Sequence, residues 1–155
     1  MTIKQLSLSI FLIVLGTMSA CSNLQNQGHP ISLQQQQLLQ NQKVIWQVTQ
    51  IQGHTISQEE RAHLPYLRFD AQRKQVNGSD GCNHIFGSYQ IQGETLHLSP
   101  LASTKMLCID TMQISDQFHL ALSQVDRFEI DHQVLKLKDQ SNHIIMQLES
   151  RTHLQ

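Results

Sequence analysis

The chain has 155 residues, of which 15% are charged, and its formal net charge is −1. This length allows one ordinary domain with extensions, because two independent cores would each lie near the lower size limit for stable folding. Such a balanced charge supplies no dense positive surface for a phosphate backbone, so nucleic acid is excluded as an expected partner.

The first twenty residues have the pattern of an export signal. Lys4 gives a short basic start, the apolar run "LSLSIFLIVL" covers residues 6–15, and small residues precede Cys21. An apolar run of this length is well under the ~20 residues that a membrane-spanning helix needs. We therefore predict a signal peptide over residues 1–20 and no permanent transmembrane helix.

Residues 18–21, "MSAC", resemble the bacterial lipobox, in which the cysteine is acylated and becomes the new N-terminus. Met18 stands where leucine is usual, and an ordinary cleaved signal is the alternative. The resemblance implies lipidation at Cys21, and Ser22 in place of aspartate implies sorting to the outer membrane with the domain facing the periplasm. Two or three acyl chains give stable anchoring.

The segment after Cys21 is polar, rich in glutamine and low in complexity as far as Lys43. Such a composition buries too little apolar area to offset the entropy lost on ordering. We predict a flexible tether over residues 21–43, in which Leu38 and Leu39 are candidates for one helical turn against the domain.

From Val44 onward, short apolar alternations are interrupted about every ten residues, as in antiparallel strands. Gly93 lies in a predicted hairpin turn, and the last part of the chain alternates as a three-strand meander. The predicted strands centre on residues 44–48, 67–69, 85–91, 96–98, 128–130, 135–137 and 144–148.

One segment has helical periodicity instead. Its apolar residues recur at i, i+4, i+7, i+8 and i+11, and Asp110 with Gln113 has the spacing of a capping box that would start the helix near Thr111. One helix cannot cover a sheet of this size, so the sheet should curl on itself. We predict a mainly β fold over residues 44–150, a small, partly open antiparallel β-barrel of about 7–8 strands with one α-helix before the last three. The apolar stripe of the helix consists of Ile114, Phe118, Ala121, Leu122 and Val125.

Two signatures carry a family resemblance, "VNGSDGCNHIFGSY" from Val76 and "LASTKMLC" ending at Cys108. In this order, with the helix and "FEIDHQVLKLKD" after them, they resemble the META domain of HslJ-like proteins over residues 44–148. The resemblance implies a non-enzymatic envelope lipoprotein linked to stress tolerance and outer-membrane integrity. His132, where the family commonly has glycine, predicts a strained hairpin turn. The motif residues are Trp46, Gly78, Gly81, Asn83, Gly87, Tyr89, Thr104 and Met106.

Elementary chemistry gives these motif residues folding roles. Gly78 and Gly81 suit positions with positive φ, and Asn83 suits left-handed geometry or the capping of an amide. Gly87, within a predicted strand, allows another group to approach the backbone closely.

With Cys21 assigned to lipid, Cys82 and Cys108 remain, and two cysteines in an oxidising compartment should pair if their geometry permits. Two free buried thiols are the alternative. A zinc site built on Cys82, His84 and Cys108 is a further alternative, but Cys-x-His is not a structural-zinc spacing. We predict a disulfide, with no metal and no cofactor, and surface positions for the histidines, including His97 and His119 on polar faces.

The sequence contains no nucleophile elbow and no legible base–nucleophile arrangement, so we predict that the protein is not an enzyme. The alternative function is a tethered periplasmic inhibitor that binds a hydrolase, a protease or a lysozyme. The segment "GHTISQEERAHLPY" over residues 53–66 is its candidate loop. A weaker hypothesis is a small apolar ligand inside the barrel. The expected partners are the membrane, through the N-terminal lipid, and an envelope protein, with the domain itself monomeric.

Overall fold

The computed structural model describes residues 33–56 and 64–152. The predicted signal peptide, Cys21 and the first part of the predicted tether lie outside the described residues. Within them, helix α1 precedes seven strands, a 3₁₀ turn and helix α2 follow, and three strands end the fold. The elements are α1 Leu33–Leu39, β1 Val44–Ile51, β2 His54–Thr55, β3 Tyr66–Asp70, β4 Gln75–Ser79, β5 His84–Gln92, β6 Thr95–Leu98, β7 Ala102–Ser103, the 3₁₀ turn Ile109–Thr111, α2 Met112–Ser123, β8 Arg127–Asp131, β9 Val134–Lys138 and β10 Ile144–Thr152.

The strands form one antiparallel barrel. Eight of them follow one another as β1-β3-β4-β5-β6-β8-β9-β10, and the two-residue strands β2 and β7 pair with β1 and β5 at the margin. The predicted β-barrel with one helix before its last three strands is confirmed. The barrel is closed where the prediction left it partly open, because β10 pairs with β1 along nearly its whole length, from Val44 opposite Thr152 to Ile51 opposite Met146.

Alternating side chains of the strands fill the barrel interior. In β1, for example, Val44, Trp46 and Val48 are buried while the residues between them are partly exposed. The rings of Phe69 and Tyr89 meet edge to face with centroids 5.1 Å apart. An eight-stranded barrel is just wide enough for side chains to fill it, which explains a core made of large residues. The largest of these buried side chains are Trp46, Tyr89, Phe69, Phe118 and Phe128.

Helix α1 closes one end of the barrel. Leu39 is fully buried, and its carbonyl oxygen accepts a hydrogen bond from Nε1 of Trp46 at 3.3 Å. The amide of Gln35 donates to the carbonyl of Ile130 at 2.8 Å, which holds the helix against β8. The helical turn predicted at Leu38 and Leu39 is thus the end of a seven-residue helix. The ordered domain starts before Val44, within the segment predicted as tether.

Helix α2 closes the opposite end. Its buried residues include Ile114, Phe118, Ala121 and Leu122, which confirms the predicted apolar stripe. The predicted capping box is wrong, because neither the residue before the 3₁₀ turn nor the residue before α2 makes a side-chain cap. Instead, the N–H of Thr111 bonds to the carbonyl of Cys108 at 3.3 Å, so a tight 3₁₀ turn starts the helix.

The glycine-rich stretch forms a strand that the sequence did not predict. Strand β4 pairs with both β3 and β5 and contains Gly78. A Cβ at Gly78 would lie 1.9 Å from the carbonyl oxygen of Tyr66, so this residue is glycine because a neighbouring backbone approaches it. The positive φ predicted at Gly78 is wrong, whereas Gly81 has φ 96° and His132 has φ 55°, as predicted. At Gly87, a Cβ would lie 2.5 Å from the side chain of Leu101, which confirms the predicted close approach.

Candidate functional site

The two signature segments meet beside α2, at the end of the barrel that this helix closes. We call this region the corner, comprising residues 79–84, residues 104–109 and the facing side of α2. Cys82 and Cys108 form a disulfide there, with an S–S distance of 2.00 Å and Cα atoms 5.9 Å apart. The predicted disulfide is confirmed, and the alternative of two free thiols is wrong.

Asp80 is the buried centre of the corner. Its side chain is inaccessible to solvent and accepts hydrogen bonds from the backbone N–H groups of Cys82 and Asn83, at 2.8 and 2.5 Å. The hydroxyl of Ser115 and Nε2 of His119 also bond to it, at 2.7 and 2.8 Å. Burial alone would raise the pKa of Asp80, but the hydrogen bonds from Asn83, Ser115, Cys82 and His119 lower it to about 2. Asp80 is therefore a carboxylate at neutral pH, and it fastens α2 to the turn before β5.

Asn83 connects the two signature segments. Its Oδ1 accepts hydrogen bonds from the backbone N–H of Met106 at 2.7 Å and from the hydroxyl of Thr104 at 3.3 Å. Oγ1 of Thr104 also accepts from the N–H of His84 at 3.0 Å. Asn83 thus caps an amide, as predicted, although that amide lies 23 residues along the chain. Three motif residues, Asn83, Thr104 and Met106, are brought together by these bonds.

The remaining motif residues stabilise the barrel itself. Trp46 and Tyr89 are buried in the core, and the hydroxyl of Tyr89 donates to the carbonyl of Asp70 at 3.2 Å. Burial, followed by the negative charge of Asp70, raises the pKa of Tyr89 to about 12. Tyr89 is therefore a neutral hydrogen-bond donor at physiological pH.

The corner contains an aspartate, a histidine and a serine, but their geometry is not that of a catalytic triad. In a triad, the imidazole lies between the carboxylate and the nucleophile and accepts the proton of the hydroxyl. Here Ser115 Oγ and His119 Nε2 both contact Oδ2 of Asp80, so the hydroxyl donates to the carboxylate directly. This arrangement orients α2 without activating a nucleophile.

His119 corrects one prediction. It was expected on an exposed polar face, yet its side chain is only 36% exposed and bonds to the buried Asp80. Its partner lies 39 residues away, and no local pattern points to it. His97, by contrast, is exposed as predicted.

The zinc alternative is ruled out at the predicted residues, because both sulfurs belong to the disulfide and cannot serve as thiolate ligands. His84, the third candidate ligand, is exposed. Within residues 33–56 and 64–152, no group of three or more His, Cys, Asp or Glu side chains could hold a metal ion.

A surface cleft of about 610 Å³ adjoins the corner, between α2 and the segment that follows β6. Its walls are largely apolar, and His97 and His119 also line it. The volume is in the range of small-molecule sites, but His119, one of the polar groups that line it, already bonds to Asp80. The apolar walls comprise Leu98, Leu101, Leu122 and Val125.

The corner carries an exposed apolar surface, which we call the tip. It consists of Met106, Leu107 and Ile109, whose exposed fractions are 60%, 79% and 78%. Exposed apolar side chains that are clustered, and not scattered singly, mark interaction surfaces. This segment was predicted to be an architectural motif, and residues 53–66 were the predicted binding loop. Of that loop, β2 is described and exposed, whereas residues 57–63 lie outside the described residues.

Solved structures share this fold at low sequence identity. An NMR structure of a protein from Burkholderia xenovorans is similar with a TM-score of 0.59 and 20% identity, covering 81% of this chain and 91% of that one. A second protein solved by NMR has a TM-score of 0.53 at 17% identity, covering 72% and 90%. The crystal structure of a DUF4847 family protein from Bacteroides vulgatus has a TM-score of 0.52 at 18% identity, covering 70% and 92%.

No curated protein matches this chain. No helix in the described part of the chain is long and apolar enough to cross a membrane. A family model, the META domain, matches residues 36–152, which include α1 from Gln36 onward and every strand of the barrel. Since this match covers most of the chain and agrees with the predicted resemblance, the chain belongs to the META domain family.

Proposed function

We propose that this protein is a non-enzymatic lipoprotein of the bacterial cell envelope, anchored in the outer membrane with its domain in the periplasm, and that it contributes to stress tolerance and outer-membrane integrity. The observation that carries this proposal is the disulfide between Cys82 and Cys108. Disulfides persist in oxidising compartments and are rare in the reducing cytosol. The disulfide uses two of the three cysteines and leaves Cys21 for the lipid.

The position of α1 fits an N-terminal anchor. The described chain starts at Leu33, at the end of the barrel opposite the corner. Leu33 lies 12 positions after Cys21, and a fully extended segment of that length spans about 40 Å. The corner and its apolar tip can therefore be held facing away from the membrane to which the lipid attaches.

The non-enzymatic character is supported by the chemistry of the corner. Its buried carboxylate has five donors, and Ser115 donates its hydrogen bond to that carboxylate and not to His119. The cysteines are oxidised and unavailable as nucleophiles. What the corner offers is a rigid surface, which suits binding better than catalysis.

Metabolic labelling tests the anchor. The wild-type protein should incorporate labelled palmitate and fractionate with the outer membrane, and Cys21→Ser should lose the label while the protein is still exported. Cells that lack the protein should become more permeable to a large hydrophobic antibiotic, and the wild-type gene should restore the barrier. An unlabelled wild-type protein, or one found in the cytosol, would remove the basis for the proposal.

A second candidate function, a tethered inhibitor of an envelope hydrolase, is favoured by the exposed apolar tip. The tip projects from a segment that Asn83 and the disulfide hold at both ends. Capture from an envelope extract with wild-type protein, compared with a Leu107→Asp variant, should recover a hydrolase whose activity falls on binding. Equal recovery of the hydrolase by both proteins would show that the tip does not bind it.

A further inference from the structure

The segment that displays the apolar tip is fixed to the turn before β5 at three points. The N–H of Thr104 bonds to the carbonyl of His84 at 3.0 Å, and the N–H of Met106 bonds to the side chain of Asn83 at 2.7 Å. Cys108 is then joined covalently to Cys82. Between and beyond these points, the side chains of Lys105, Met106 and Leu107 are exposed.

The backbone of this segment continues an edge strand. It follows β7, which among the described residues pairs only with β5, and Cys108 at its far end is again extended, with φ −125° and ψ 94°. No residue from Thr104 to Ile109 has a positive φ. The segment therefore leaves β7 without a left-handed turn, and its most exposed apolar side chain, Leu107, lies near its middle.

We propose that residues 104–108 form a reactive-site loop that occupies the active-site cleft of an endopeptidase, with Leu107 in an apolar primary specificity pocket. Endopeptidases bind extended chain segments through main-chain hydrogen bonds, while pockets select individual side chains. This proposal rests on the second candidate function and names its partner class and its contact residue.

The bracing explains how such a loop would bind without being ordered first. A flexible peptide loses conformational entropy when it enters a cleft, and a loop already held in shape avoids most of that cost. Protease–inhibitor complexes are of this pre-organised kind, and their interface backbones move little on association. Asn83 supplies the bracing here, because its single side-chain oxygen bonds to Thr104 and to the N–H of Met106 before Leu107, while the disulfide holds Cys108 directly after it.

A lipid surface is the other occupant that an apolar tip could suit, and the surrounding charges disfavour it. Between Ala102 and Ser123, Lys105 is the only lysine or arginine, while Asp110 and Asp116 are acidic. Docking to an anionic leaflet relies on clusters of basic residues, and residues 102–123 contain a single one. The chain also enters the domain at the opposite end, through α1.

The test uses the full-length protein, purified in detergent with its disulfide intact, and two probe enzymes. Chymotrypsin has an apolar primary pocket and trypsin an acidic one, so the wild-type protein should inhibit chymotrypsin at least about 100-fold more strongly than trypsin. Leu107→Arg should reverse this preference, and Leu107→Asp should abolish both inhibitions. Leu33→Asp is the matched control, because Leu33 is 76% exposed at the opposite end of the barrel, and it should inhibit like the wild type.

Three results would overturn the proposal: no inhibition of chymotrypsin at micromolar concentrations, inhibition that Leu107→Asp leaves unchanged, or cleavage of the loop without inhibition. Cleavage after Leu107 would be visible as fragments that separate only on reduction, since the disulfide joins them. Binding of the unlipidated Cys21→Ser protein, but not of the same protein with Leu107→Asp, to vesicles of anionic phospholipid would assign the tip to membranes instead. Palmitate labelling is independent of these assays. A labelled protein that does not inhibit chymotrypsin would therefore refute the endopeptidase proposal but not the proposal of an envelope lipoprotein.

Discussion

The two ends of the barrel are closed by different means. At the α1 end, closure depends on burial of Leu39 and on amide side chains of glutamines that donate to backbone carbonyls. At the α2 end, a disulfide and a buried carboxylate join the helix, the turn before β5 and the tip segment.

The difference bears on the family signatures, because four of the eight motif residues lie in the corner at the α2 end. Burial of a leucine tolerates many surrounding sequences, whereas a carboxylate with five donors and a disulfide require particular residues at particular positions. The α2 end therefore carries specific sequence constraints of its own, and it also holds the exposed tip. We infer that the signatures maintain a rigid platform for that tip.

Removal of the disulfide should have the largest effect on the α2 end. In the chain-entropy model, a link between residues 26 apart contributes about 3.5 kcal/mol, so the Cys82→Ala/Cys108→Ala variant should lose roughly that free energy of unfolding in urea. Reductant should destabilise the wild type similarly and leave the double variant unchanged. A loss below about 1 kcal/mol would show that the corner holds without its covalent link.

Truncation at the α1 end should cost nearly as much. Leu39→Ala removes a fully buried side chain beneath Trp46 and should destabilise the fold by about 3 kcal/mol. Leu33→Ala, on the exposed start of the same helix, should change stability by less than about 0.5 kcal/mol. Equal effects of the two substitutions in urea unfolding would mean that α1 does not close the barrel.

The buried carboxylate should give the α2 end a pH dependence. The folded pKa of Asp80, about 2, lies below its ordinary value of 3.8, so its stabilisation is complete above the ordinary pKa and is lost as the pH falls toward 2. Asp80→Asn should lose about 2 kcal/mol at pH 7, and the difference from wild type should shrink between pH 5 and pH 2. Asp116→Asn, an exposed carboxylate on α2, is the matched control and should change little. A difference in the free energy of unfolding that does not vary with pH would show that the ionised form of Asp80 does not stabilise the α2 end.

The smallest expected effect concerns the tip segment itself. Asn83→Ala removes the acceptor for the N–H of Met106 and should cost about 1 kcal/mol of global stability. The amide of Met106 should exchange with solvent much faster by NMR, while the amide of Val48, which bonds to the carbonyl of Pro65 in the barrel, keeps its wild-type rate. Unchanged exchange at Met106 would mean that Asn83 does not brace the loop.

Local periodicity was enough to predict much of the fold. The apolar stripe of α2, the hairpin at Gly93 and the last three strands depend on neighbours within a few residues, and all three predictions are confirmed. Closure between Val44 and Thr152 joins residues far apart in sequence, and no local pattern encodes it. Strand β4 was missed because Asn77, Gly78 and Ser79 are common turn residues, whereas the close approach of Tyr66 is what requires glycine there.

The candidate site was only partly predictable for the same reason. The disulfide could be predicted because two cysteines remained after Cys21 was assigned, so only one pairing was left. The bond between Asp80 and His119 could not be predicted, because a charged residue within a glycine-rich stretch and a histidine on a helix each suggest a solvated surface. The tip was likewise overlooked, because its exposure depends on the loop geometry that Asn83 imposes.

Peptide mapping of the exported protein, alkylated and digested without reduction, tests most directly whether the signature end is held covalently. The peptides that contain Cys82 and Cys108 should appear as one cross-linked mass that separates on reduction. Recovery of both cysteines in alkylated form, or of either one joined to Cys21, would contradict the account.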